Sequence, residues 1–180
     1  YEYMAYVDPY QFLSRVKVPV MYLIGTNDRL FNSFDDHGFY PFYHGDKSFA
    51  YVANYGHGMA THEHVRAYRA WAAHCFWGRP ITRLTAMGTV EQGELKVSAI
   101  VQSQSEITEL RLLYCFKKGA RFNDAKDRYK SLPMKRAGGG YWKAALPSDL
   151  AAGREVYWYV EARDRAQGFE SIATTLLKRN

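Results

Sequence analysis

The stretch from Val18 to Gly25 constrains the fold more than any other part of the chain. It is an almost continuous apolar run, Val-Pro-Val-Met-Tyr-Leu-Ile-Gly, and it is partly β-branched. Such a run predicts a strand that is buried on both faces, as in a parallel sheet. We therefore expect helices on both sides of this strand.

Two polar side chains follow apolar strands at equivalent positions. A turn comes directly after the first strand and places Asp28 just beyond its carboxyl end. A second apolar run, Phe49 to Val52, leads into a loop in which two glycines flank His57 and permit a sharp turn. Ligand sites of open α/β sheets lie at the carboxyl ends of the strands. We expect Asp28 and His57 to lie on neighbouring loops at this edge.

The order of strand, acid, strand and histidine is that of the second half of a Ser-Asp-His triad. A serine hydroxyl is a poor nucleophile until a histidine takes its proton, and the histidine needs a carboxylate that fixes its tautomer. The pattern therefore predicts Asp28 as the catalytic acid and His57 as the catalytic base. The alternative is that Asp28 caps the following turn and that His57 is a hydrogen-bonded loop histidine.

A helix is predicted from Thr61 to Phe76. Thr61 is a suitable N-cap, and Gly78 ends the helix. Four residues at helical spacing fall near one face and predict an apolar helix surface: Val65, Tyr68, Ala72 and Phe76.

Three histidines, His57, His62 and His64, lie close together in sequence, which raises the question of a metal site. However, the HExxH pattern is absent, and His62 and His64 are two residues apart on a helix, so their side chains face different directions. A metal-dependent enzyme would need three ligands that converge on one point. We predict neither a metal nor a cofactor.

From about Arg83 the pattern changes to short strands separated by turn residues. Seven strands at intervals of about ten to fifteen residues are typical of an antiparallel β-sandwich. Hairpins are predicted at residues 138–140 and 166–168. We place a domain boundary here, with domains at residues 1–82 and 83–180. The predicted strands are Thr85–Glu91, Glu94–Gln102, Thr108–Lys117, Tyr129–Lys135, Tyr141–Leu146, Glu155–Asp164 and Ser171–Lys178.

Composition narrows the class of partner. Hydrophobic residues make up 47% of the 180 residues, which supports a packed core. No run approaches the roughly twenty apolar residues of a membrane span. The net charge of +6 arises mostly beyond Arg83. However, acidic residues interrupt the basic cluster at residues 117–130, and the sequence has no nucleic-acid-binding motif. We therefore predict no nucleic-acid partner. Cys75 and Cys115 are predicted to be buried free thiols, with an interdomain disulfide as the alternative.

The first half of the chain resembles a known family. Its Asp8-Pro9, Val-Pro-Val-Met-Tyr-Leu-Ile-Gly-Thr-Asn-Asp-Arg-Leu-Phe, Lys47 and Tyr-Val-Ala-Asn-Tyr-Gly-His segments resemble the carboxyl-terminal part of the PhoPQ-activated pathogenicity-related protein family. That family belongs to the α/β-hydrolases and is similar to secreted esterases and peptidases of the prolyl-oligopeptidase type.

The resemblance covers roughly residues 1–80. It implies the carboxyl-terminal portion of an α/β-hydrolase sheet, followed by an immunoglobulin- or fibronectin-like β-sandwich. It also implies Asp28 as triad acid, His57 as triad base, and a periplasmic or secreted protein.

The nucleophile is not evident in the chain. No Gly-x-Ser-x-Gly motif occurs, and Ser14, the only serine before Asp28, lacks the glycines of a nucleophile elbow. We therefore expect the serine in an upstream hydrolase portion, on the same or a separate chain, that acts on a small-molecule ester or a peptide. The alternative function is a non-catalytic polysaccharide- or protein-binding module with a degenerate hydrolase remnant.

Overall fold

The computed structural model of the chain describes residues 9–30, 40–117, 128–146 and 155–180. These residues form eleven strands, one α-helix, and two 3-10 helices at Pro9–Arg15 and Tyr40–Phe42. In chain order the strands and the α-helix are β1 (Val20–Gly25), β2 (Lys47–Val52), α1 (His62–Trp77), β3 (Arg83–Glu91), β4 (Glu94–Gln102), β5 (Glu106–Lys117), β6 (Lys130–Pro133), β7 (Lys135–Gly138), β8 (Tyr141–Leu146), β9 (Glu155–Ala166), β10 (Phe169–Thr174) and β11 (Lys178–Arg179).

Strands β1 and β2 form a two-stranded parallel sheet, in which β2 is buried after its first residue. On one face, Ala50 packs with Ala67 of α1 and Ile172 of β10. On the other face, Tyr51 packs against Tyr159 of β9, with ring centroids 5.1 Å apart. Strand β2 is therefore covered by a helix on one side and by a β-sheet on the other, whereas the first four residues of β1 are only half-buried.

The second half of the chain forms two antiparallel sheets. One sheet has the order β10-β9-β5-β6, with β11 also paired to β9, and the other has the order β3-β4-β8-β7. Their inner faces share one core, in which Leu95 and Val97 of β4 meet Leu112 of β5 and Trp158 of β9. The two sheets are therefore the layers of a sandwich, and the five-stranded sheet uses its other face to cover β2.

The two hairpins predicted by their turn residues are present. Residues 138–140 connect β7 to β8, and residues 166–168 connect β9 to β10. In the second turn Gln167 and Gly168 both have positive φ, 50° and 76°, which is the twist that a two-residue hairpin requires.

The single strand predicted at Tyr129–Lys135 is instead two strands in different sheets. Pro133 pairs with Arg111 in the five-stranded sheet, whereas Lys135 pairs with Lys143 in the four-stranded sheet. Met134 lies between them with 5% of its surface exposed. The chain therefore crosses from one layer to the other at Met134 and leaves that side chain in the core.

The predicted fold class, an α/β-hydrolase sheet followed by an immunoglobulin- or fibronectin-like sandwich, is wrong. The described residues are mostly β-structure, they contain one α-helix, and their parallel sheet has only two strands. An apolar run reports that both faces of a strand are buried, but not whether helices or strands bury them. Here Tyr157 and Tyr159 of β9 lie where a second helical layer was expected. The descriptors that followed from that fold, α/β-hydrolase and immunoglobulin-like, are corrected with it.

Helix α1 has the predicted ends but not the expected packing. The Thr61 side chain caps it and Gly78, with φ of 67°, ends it. Its buried residues are His64, Ala67, Ala70 and Ala73. The predicted apolar face is exposed, with 62% exposure for Tyr68 and 77% for Phe76. Alanines allow a closer approach to the strands than aromatic side chains do, so the small-residue face is the packed one.

The two halves of the chain are joined by buried contacts. Arg79, which follows α1, pairs with Asp164 of β9, and both side chains are almost fully buried. The domain boundary at residue 83 stays a prediction.

The two cysteines are free, but Cys75 is exposed where a buried thiol was predicted, and Cys115 is buried. Within the described segments, no helix has the length and apolar character that a membrane span requires.

Candidate functional site

Asp28 and His57 meet at the carboxyl ends of β1 and β2. Asp28 Oδ2 lies 2.9 Å from His57 Nδ1, which is within hydrogen-bond range. The Asp28 side chain is 5% exposed, whereas that of His57 is 54% exposed. The structure therefore brings together the two residues that the sequence predicted as a pair.

The turn after β1 holds the Asp28 carboxylate in place. Asp28 N–H donates to the carbonyl of Gly25 at 3.2 Å, which closes the turn. The other carboxylate oxygen, Asp28 Oδ1, accepts a hydrogen bond from Leu30 N–H at 2.8 Å. Asp28 thus caps its turn and binds His57 at the same time, with a different oxygen for each task.

The loop that carries His57 packs directly on the end of β1. Asn27 N–H donates to the carbonyl of Tyr55 at 2.8 Å. A side chain at Gly25 would collide with the carbonyl oxygens of Tyr55 and Gly56. Glycine at position 25 is therefore required for the close approach that delivers His57 to Asp28.

Asn54 fastens the same loop on two sides. Its backbone N–H donates to Thr26 Oγ1 at 2.8 Å, which ties the loop to the turn after β1. Its carboxamide donates to the Tyr129 carbonyl at 3.0 Å and accepts from Tyr129 N–H at 2.7 Å. The sandwich therefore helps to position the His57 loop.

Hydrogen bonding fixes the proton on His57. An ionised carboxylate only accepts hydrogen bonds, so the nitrogen that faces Asp28, Nδ1, carries the proton. In the neutral ring, Nε2 then carries the lone pair. This is the arrangement that a histidine needs in order to take a proton from a nucleophile.

A second histidine-carboxylate pair, His74 with Asp46, lacks that property. His74 Nε2 lies 2.6 Å from Asp46 Oδ2, and His74 Nδ1 lies 2.7 Å from the Arg79 carbonyl. Both nitrogens face acceptors, so neither offers a lone pair to a reacting group. Burial alone would raise the pKa of Asp46, but its contacts with His74 and Arg83 outweigh burial and lower that pKa. This pair is a structural link.

The other two histidines near His57 in the sequence lie in different environments. His62 is exposed at the start of α1, whereas His64 is 1% exposed and its Nδ1 lies 2.6 Å from Thr61 Oγ1. Burial lowers the pKa of His64. Among the described residues, no three His, Cys, Asp or Glu side chains form a group that could hold a metal ion.

Sequence reasoning missed the residues that support the pair. Thr26 is recognisable only as part of a turn, and the partner of Asn54, Tyr129, is far away in sequence. The position of Asn54 just before Tyr55-Gly56-His57 was the one available signal, because asparagine tolerates the positive φ of 60° that it adopts. Ser14 lies in the 3-10 helix Pro9–Arg15. Residues 118–127, which include three of the six basic residues of the cluster at residues 117–130, lie outside the described residues.

A second candidate site lies on the sandwich. A groove of about 800 Å³ is lined by residues of β3, β4, β6, β7 and β8. Its charged residues are Glu91, Lys96, Lys135 and Lys143, and its apolar residues include Met87 and Leu132. The groove is therefore mixed in character, with an excess of positive charge.

Two solved structures are distantly similar to part of the chain. One is a GH family 64 laminaripentaose-producing β-1,3-glucanase from Paenibacillus barengoltzii complexed with laminarihexaose, which is 13% identical with a TM-score of 0.37 over 54% of this chain and 20% of that chain. The other is a carbohydrate-binding module family 56 β-1,3-glucan binding domain, which is 14% identical with a TM-score of 0.36 over 54% of this chain and 98% of that chain. The chain thus spans about a fifth of the glucanase. Likenesses this distant support no conclusion about what the chain does.

Comparison at the level of sequence families gives a clear result. No curated protein sequence matches the chain. The family model for PhoPQ-activated pathogenicity-related protein matches residues 1–121, which is more than half of the chain and includes both Asp28 and His57. The resemblance of the first half is thereby confirmed, and the chain belongs to the PhoPQ-activated pathogenicity-related protein family.

Proposed function

We propose that the chain supplies the acid and the base of a hydrolytic site that cleaves an ester or peptide bond, with the nucleophilic serine outside this chain. The observation that carries the proposal is the 2.9 Å contact between the buried Asp28 carboxylate and the exposed His57 ring. The proposal rests on this geometry and not on an α/β-hydrolase sheet.

The chemistry assigns one task to each residue. His57 takes the proton of the serine hydroxyl as it attacks the carbonyl carbon, and returns it to the leaving group. Asp28 keeps the proton on Nδ1 and stabilises the cation that forms. Because Asp28 is held by the Leu30 N–H as well, its carboxylate is fixed before substrate arrives.

The partner in this proposal is an upstream portion that carries the serine, on the same or a separate chain. The exposed apolar side of α1 supports it, since Val65, Tyr68 and Phe76 face away from the described residues that pack on the helix. This helix begins five residues after His57, so a portion that covers it would also stand near the histidine. We extend the proposal to a periplasmic or secreted location, which the family resemblance implies.

The test compares variants of the complete protein in an ester hydrolysis assay. We expect His57→Ala to abolish turnover, and Asp28→Asn to lower kcat by about 10⁴ because the histidine adopts the wrong tautomer. His62→Ala is the matched control, since it removes an exposed histidine near the same loop. Labelling with a serine-directed phosphonate locates the nucleophile. Unchanged turnover in the His57 or Asp28 variant would refute the assignment.

A second candidate function is a polysaccharide- or protein-binding module. The groove on the four-stranded sheet favours it, because a concave surface with both apolar and charged residues is suited to ligand binding. This function does not require catalysis by Asp28 and His57. It is tested by binding to immobilised polysaccharides, with loss of binding expected when groove residues are changed.

A further inference from the structure

The outer face of the four-stranded sheet presents an ordered row of side chains. Strand register places Met87 opposite Ser98, Ser98 opposite Lys143, and Lys143 opposite Lys135. Residues directly opposite each other in a sheet point to the same side. All four line the groove of about 800 Å³, so the row runs across its floor.

The charges in this groove are not balanced. Lys96 is paired with Glu91 at 2.8 Å. Lys135 and Lys143 are direct cross-strand neighbours, and neither forms an ion pair within the described residues. Like charges placed opposite each other destabilise a sheet. An anion bound between the two ammonium groups would offset that repulsion.

An apolar platform lies beside the two lysines. Tyr141 is two residues from Lys143 on β8, so it projects from the same face at a distance of about 7 Å along the strand. It is directly opposite Ile100 on β4, and the two side chains are 51% and 37% exposed. A ring face next to an aliphatic side chain offers stacking area to the apolar face of a sugar ring.

We propose that this outer face binds an acidic polysaccharide, with carboxylates of uronate residues at Lys135 and Lys143 and a sugar ring stacked on Tyr141. The proposal rests on the second candidate function and names its ligand class. A peptide strand adds to the edge of a sheet, whereas this site is a sheet face.

The experiment measures binding of the full chain to polygalacturonate and to its methyl ester, which has the same backbone without the charge. Isothermal titration calorimetry is run at low and moderate salt. We expect binding to polygalacturonate that weakens with salt, and weaker binding to the ester. Lys143→Gln and Lys135→Gln should each weaken binding about tenfold or more, as should Tyr141→Ala. Lys17→Gln, which removes an exposed lysine outside the groove, should leave affinity unchanged.

The outcomes separate the two levels of the proposal. Equal affinity for the acid and its ester would overturn the anionic ligand and leave the binding module intact. Absence of binding to these and to neutral glucans would overturn both. Tighter binding to polyglutamate or to oligo-dT than to polygalacturonate would overturn the polysaccharide class. Thermal unfolding of each variant shows that a lost affinity does not arise from a lost fold.

Discussion

The buried ion pair between Arg79 and Asp164 predicts a large loss of stability when one partner is removed. Their side chains are 2% and 1% exposed. Asp164 also accepts from Thr82 Oγ1 at 2.6 Å, so one carboxylate joins the segment after α1 to strand β9. Replacing Asp164 with asparagine keeps the volume but leaves the guanidinium of Arg79 buried without a counter-charge.

The expected cost follows from this burial. Removing one partner of a buried pair costs about 3–5 kcal/mol. The free energy of unfolding of a native protein is about 5–15 kcal/mol in total, so Asp164→Asn should remove a large fraction of it. The ratio of folded to unfolded protein should fall by about 10² to 10⁴.

Urea unfolding followed by tryptophan fluorescence is a suitable assay, because Trp158 lies in the sandwich core. Arg165→Gln is the control. It breaks a pair with Glu170 in which the side chains are 56% and 44% exposed, and it should cost much less than Asp164→Asn because solvent screens the pair. Arg79→Met combined with Asp164→Asn should be more stable than Asp164→Asn alone, because no charge stays buried. A cost for Asp164→Asn as small as that of the control would refute the reasoning.

Three further predictions concern the first half and its junction with the sandwich. Gly25→Ala should destabilise the protein by about 1–3 kcal/mol, since the added methyl group displaces the loop that carries His57. On the proposed hydrolytic function it should also lower ester turnover, and both quantities are measured on the purified variant. The stability of the protein should fall as the pH drops below 6.5, the ordinary pKa of histidine. The reason is that burial lowers the pKa of His64 in the folded state, so the unfolded state takes up the proton first. Urea unfolding at several pH values between 7.5 and 5.5 measures how the free energy of unfolding changes with pH. Residues 83–180 expressed alone should fold and bind a hydrophobic dye, since the sandwich core is complete but the tyrosine surface that covers β2 is exposed.

Each of these has an outcome that contradicts it. Wild-type stability and activity in Gly25→Ala would mean that the loop has room to move. A slope that persists unchanged in His64→Gln would assign the pH dependence to another group. A disordered 83–180 segment would place the boundary elsewhere or make the sandwich dependent on the first half.

The local pattern of the sequence predicted the elements well, because strands and hairpins are encoded by neighbours in the chain. The turn at Gln167 and Gly168 is one example, and the placement of Asp28 and His57 after apolar strands is another. The crossing at Met134 was not predictable in this way. It depends on which of two sheets accepts each strand, and that choice involves residues distant in sequence.

Helix α1 shows why periodicity alone misleads. The spacing of Tyr68 and Phe76 correctly describes one face of a helix, but it does not tell which face packs on the strands. The packed face consists of alanines and His64, whose small or hydrogen-bonded side chains fit a close contact. The covering of β2 by tyrosines of β9 was missed for the same reason, since a burial pattern does not identify the covering partner.

The two hydrogen bonds between Asn54 and Tyr129 affect whether the two halves of the chain can be separated by recombination. The Asn54 carboxamide both donates to and accepts from the Tyr129 backbone, so it pairs with the sandwich as a peptide group of a neighbouring strand would. Recombination at the start of β3 would give the first half a foreign β-domain, and the loop of His57 would lose this anchor unless the new domain offered a backbone amide and carbonyl at the same point. The two halves are therefore expected to be inherited together. A chimaera that keeps every residue up to Arg83 but carries another β-domain would still lose one anchor of the loop that carries His57.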